Sequence, residues 1–176
     1  MKPIDNFDAI ETPNEYKRLV PGGYICRITK VEDHPDKQYL KVEYDIADGM
    51  YKNYWSDTAE RNGWWGGDFV KSYREGSKAI GFFKQFIKAV EDSNNGYVFK
   101  WDEQTLAGKL VGLVIGEEEY AKRTGGIGSR MTVNKTVSVA TIREGGFAVP
   151  KKKEMAAAVE TPVSSSVSDD DLPFDF

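Results

Sequence analysis

The sequence predicts a mainly β fold with one helix and an acidic C-terminal tail outside the core. Three observations predict it. Several short runs alternate apolar with polar residues, one stretch carries apolar residues at helical spacing, and the composition changes after Pro150. With 176 residues, 40% of them apolar, the chain suffices for one domain with a real core and is short for two.

Residues 1–20, broken by Pro3 and Pro13, read as an irregular lead-in ahead of Pro21. A first strand follows at 23–32, where Tyr24, Cys26 and Ile28 alternate with Arg27 and Thr29. His34-Pro35-Asp36 marks a turn, and residues 38–46 form a second strand with Leu40, Val42, Tyr44 and Ile46 on its apolar side. Asp48-Gly49 suits a hairpin turn into an aromatic third strand at 50–55. Residues 56–70, with Trp64 and Trp65 between glycines, read as a loop. One of these Trp is expected inside and the other outside. Ser72-Tyr73-Arg74-Glu75 has the form of a capping box. Behind it Ala79, Phe83, Phe86, Ile87 and Val90 share a helical face, which Asn94-Asn95-Gly96 ends. Gly81 inside that helix calls for a packing reason. Residues 109–117 and 131–142 read as the fourth and fifth strands, joined by a basic, glycine-containing connection at 122–130. Three strands, a helix and two strands is the order of a five-stranded OB-like barrel with one helix between strands 3 and 4. A small α+β sheet with one helix has the same order.

The body is residues 21–149. Residues 150–168 are poor in large apolar side chains and read as a disordered linker. Residues 169–176 form an acidic tip: Asp169, Asp170, Asp171, Leu172, Pro173, Phe174, Asp175 and Phe176. This tip resembles the acidic C-terminal peptide of bacterial single-stranded DNA-binding proteins, in which an acidic run precedes an aliphatic-Pro-Phe ending. That family also places an OB domain, a low-complexity linker and the tip in this order. The resemblance implies recruitment of replication or recombination proteins. An apolar anchor enters a pocket, and carboxylates steer the encounter. Asp175 and Phe176 follow the Pro-Phe step, so the anchor is either Phe174 or Phe176. Within the body, Pro21-Gly22-Gly23-Tyr24, residues 36–42, Trp64-Trp65-Gly66-Gly67 and residues 116–120 resemble small bacteriophage proteins of replication modules, generally taken to bind single-stranded DNA.

Single-strand binding needs cations along a groove and aromatic faces for the bases. The interleaved candidates are Arg27 on the first strand, Tyr39 and Lys41 on the second, and Lys52, Tyr54 and Trp55 on the third. Tyr54 and Trp55 suit core packing equally well. The connection between the last two strands adds Lys122, Arg123 and Arg130, which suit an ordinary exposed hairpin almost as well. Net charge is −4, so binding by global charge is not expected; a local basic groove is.

Catalysis is not expected. His34 is the only histidine, and Cys26, the only cysteine, alternates with apolar neighbours as a core residue. No nucleotide-binding or nucleophile-elbow motif is present, and neither cofactor nor metal is implied. The chain lacks a basic-then-apolar leader and any membrane-length apolar run, so the cytoplasm of a bacterial host is the expected location, homo-oligomer or not. Two other functions suit the same residues. One is a replication-module adaptor without DNA affinity; the other is a metal-dependent nuclease on an OB-like barrel.

Overall fold

The computed structural model describes residues 2–10 and 17–155. Five antiparallel strands form one sheet in the order β3-β2-β1-β4-β5. They are β1 (Gly22–His34), β2 (Tyr39–Ile46), β3 (Asp68–Ser72), β4 (Leu110–Ala121) and β5 (Ile127–Val137). Three helices accompany them: α1 (Tyr54–Asn62), α2 (Ala79–Ser93) and α3 (Val139–Glu144). The sheet is open. β3 and β5 are its edges, and among the described residues no strand ladder joins them.

The alternation read from the sequence places one face of β1 and β2 in the core. Cys26, Ile28, Val31, Leu40, Val42, Tyr44 and Ile46 are all buried, as are Val111, Leu113 and Ile115 of β4. A β-bulge between Ile28 and Lys30 keeps this face inward, because it lets Val31 pair with Val42. α2 supplies Phe83, Phe86, Ala89 and Val90 to the same core. Each such aromatic stabilises by about 1.5–3 kcal/mol relative to exposure. Gly81 meets open space, and nothing in the structure explains it.

Three parts of the expected chain order are corrected. Residues 50–55 are not a strand: Tyr51 closes a turn and α1 starts at Tyr54. The third strand is β3, at positions read partly as loop. The capping-box residues precede α2 by several positions. Ser72 ends β3, its hydroxyl accepts from the Arg74 amide, and α2 has no side-chain cap. The fifth strand ends at Val137, and the rest of that run is α3. Ser138 caps it by accepting from the Thr141 amide at 3.2 Å.

α1 begins where it does because of Asp45. This buried β2 carboxylate accepts from the amides of Trp55 (2.9 Å) and Ser56 (3.2 Å), from the Ser56 hydroxyl and from the Ile46 amide. Its charge meets the positive end of the helix. Trp55 then packs edge-on to Tyr44, and its ring leaves no space at Gly66 and Gly67. A Cβ at Gly67 would fall 2.4 Å from the indole and 2.6 Å from the Tyr44 carbonyl oxygen. Of the paired Trp, Trp65 is the inner one and donates to the Gly67 carbonyl, whereas Trp64 is 58% exposed.

Candidate nucleic-acid interface

The outer face of the sheet follows from register. In an antiparallel ladder, opposed residues share a face. Arg27 opposes Asp45, Lys30 opposes Glu43, Glu32 opposes Lys41 and His34 opposes Tyr39. Arg27, Tyr39 and Lys41 therefore lie on one face, as the sequence predicts. Tyr39 stacks on His34, with centroids 4.6 Å apart and planes 19° from parallel.

Much of the positive charge on this face is already matched. Lys41 pairs with Asp68 at 3.5 Å, and Lys30 pairs with Glu32, which also meets His34. The lysine holds the Glu32 carboxyl below its ordinary pKa, and the carboxylate in turn raises that of Lys30. Arg27 donates to the Gly108 carbonyl at 2.9 Å.

Lys52, Tyr54 and Trp55 do not join this face through a third strand. Tyr54 and Trp55 are buried at 9% and 7% exposure, in an aromatic cluster with Tyr44, Tyr51 and Tyr24. Lys52 is exposed in the turn before α1. The sequence signal misled because Tyr-Trp after a hairpin turn suits a strand, while the actual determinant, Asp45, lies ten positions upstream.

The β4–β5 hairpin is the more distinctive feature. β1 leaves β4 at Ile115, so the hairpin from Gly116 onward extends beyond the first strand's pairing. At its tip, Gly125 and Gly126 take φ of 92° and 85°, conformations that favour glycine. The turn closes through the Lys122 amide donating to Gly126 and the Gly125 amide donating to Lys122. Lys122 and Arg123 are exposed there and make no ion pair among the described residues. Tyr120 lies across Gly128, where a Cβ would come 2.8 Å from its ring, and the Arg130 guanidinium sits 5.6 Å from the ring centroid. Arg130 also faces Glu118 at 3.8 Å. Arg130 and the Lys122 stem thus flank an aromatic ring, Tyr120, that the sequence reading does not include among the binding residues, and Arg123 is exposed at the turn.

The other side of the hairpin is acidic and structurally occupied. Glu117 accepts from Ser129 and pairs with Arg18 at 2.9 Å. Glu119 pairs with Lys152 at 3.0 Å and accepts from the Met155 amide. These partners hold both carboxyls below their ordinary pKa, the Ser129 hydroxyl leading at Glu117 and Lys152 at Glu119. A parallel bridge between Glu118 and Lys153 completes the attachment, so the packed body continues past Pro150 to Met155. Residues 152–155, the last of the described residues, therefore lie against the cationic hairpin. The tip residues 169–176 lie outside the described residues.

Burial pushes the Cys26 thiol pKa up, so the thiol stays protonated within the core. Among the described residues, no group of three or more His, Cys, Asp or Glu has an arrangement that suits a metal ion, and no helix is long and apolar enough to cross a membrane. The chain matches no family model and shows no significant match among curated proteins.

Proposed function

We propose that the protein binds single-stranded DNA, largely without regard to sequence and without chemistry on it, in phage replication or recombination. The observation that carries this reading is the hairpin. Lys122 and Arg123, without an ion pair among the described residues, stand exposed at a glycine turn next to the strands that carry Tyr120 and Arg130. Cations for the backbone beside a ring for a base are what a single strand requires. The outer face of β1 and β2 offers a second set of candidates, Arg27, Tyr39 and Lys41. The five-stranded antiparallel sheet with α2 between β3 and β4 supports reading the fold as a partly open OB barrel. The tip, with Leu172, Pro173, Phe174 and Phe176 behind three aspartates, serves as the recruiting peptide for replication or recombination proteins. Residues 152–155 lie against the hairpin, which supports reading the acidic tail as a competitor of DNA, so deleting residues 163–176 tightens DNA binding.

The test is an anisotropy titration of a labelled oligo-dT strand at several salt concentrations, with duplex DNA and RNA as competitors. Salt-dependent binding that duplex does not displace supports the reading. No binding at low salt by a folded sample refutes it. The pairing of Lys30 and Lys41 with carboxylates favours a second reading, an adaptor that docks through its tip and has no DNA affinity. Tip-dependent capture of a replication protein without DNA binding would establish the adaptor.

A further inference from the structure

The loop between α2 and β4 holds out an indole that the fold does not use. Trp101 is 82% exposed, and its backbone φ is 62°. A bulky residue in the left-handed region costs stability, and such strain concentrates at functional sites. No burial offsets that cost; the ring meets Phe99 at a tilt of 55°, 5.7 Å between centroids.

The loop is fixed in place. Asn94 bonds the Val90 carbonyl and both backbone groups of Leu110. The Phe99 amide donates to Glu91, Tyr97 shares a hydrogen bond with Thr105, and Asp102 accepts from the Gln104 amide. Two further bonds join the loop to β1: Arg27 donates to Gly108, and Gln104 donates to the Val31 carbonyl. The exposed indole thus sits on a rigid loop docked to the strand that carries Arg27. Lys100 and Lys109 are offset nearby by Asp102 and Glu103, so the loop offers a ring without net charge.

We infer that Trp101 is a stacking platform for one unpaired base, extending the strand's track past Arg27. The inference rests on the single-strand reading above. Stacking on a neutral loop predicts an affinity loss without a change in salt dependence, which separates Trp101 from the hairpin cations.

The experiment compares the full-length protein with W101N and W101F in oligo-dT titrations at several salt concentrations. Asn tolerates the left-handed backbone, so W101N folds with a Tm no lower than that of the wild type. Its affinity falls about 5- to 150-fold at unchanged salt slope, and W101F keeps most of the affinity. If the wild type binds and W101N binds equally well, the inference is overturned, and the ring is left to a protein partner. A wild type that does not bind overturns the single-strand reading and this inference together.

Discussion

Removing the two unmatched cations of the hairpin gives the most direct numerical test of the interface. Lys122 and Arg123 stand at an exposed turn and make no ion pair among the described residues, so K122A/R123A leaves the core untouched. Each cation that neutralises a phosphate of a single strand contributes about 0.7 to the slope of log K against log salt concentration. Losing both flattens the slope by about 1.4 and lowers affinity about 25-fold at 0.1 M salt relative to a 1 M reference. Arg130 already faces Glu118 at 3.8 Å, so R130A changes the slope by less than either tip residue alone. The assay is oligo-dT anisotropy at four or more salt concentrations, with the Tm of each variant as a folding control. A double variant with the wild-type slope would show that the hairpin does not touch phosphate. An R130A effect larger than the tip effect would show that ion pairing within the hairpin does not set availability.

Three further outcomes follow from the packing. D45A removes the acceptor for the Trp55 and Ser56 amides and costs about 3 kcal/mol, a fall in Tm of about 6–12 °C by calorimetry, with D45N intermediate. G67A forces the Trp55 ring or the Tyr44 backbone to move and destabilises by about 1–3 kcal/mol in urea melts; wild-type stability would show that the loop yields freely. Glu119 has a folded pKa below the ordinary 4.5, so its contacts with Lys152 and the Met155 amide persist above that value and are lost as pH falls through the lowered one. The protection factor of the Met155 amide, its exchange relative to the unprotected rate at each pH, should therefore fall on acidification below pH 4.5, and E119Q should weaken that pH dependence.

The parts of the fold legible in the sequence were those set by local periodicity. Leu40, Val42 and Tyr44 on alternate positions, and Phe83, Phe86 and Val90 on a helical stripe, face the core as their spacing requires. The errors lie where a distant residue decides. Nothing local in residues 50–55 announces a helix start, because the carboxylate that receives the α1 amides belongs to β2. Edge strand β3 has Val70 and Lys71 beside Asp68 and Ser72, too mixed a run to show alternation. Of the predicted interface, Arg27, Tyr39 and Lys41 share a face because period-two counting survives folding. Tyr54 and Trp55 were lost to the core with the strand that would have displayed them. Trp101 had no signal as a binding residue, since its interest comes from a backbone angle.

The attachment of α1 to Asp45 also bears on how the molecule opens. A helix of nine residues is marginal by itself in water. Here its first turn depends on a carboxylate that is in position only while β2 is paired with β1. The segment from Ala47 to Gly67 therefore has little autonomy. It loses its anchor when the β1–β2 ladder parts, so its amides should exchange in one cooperative step with those of β2.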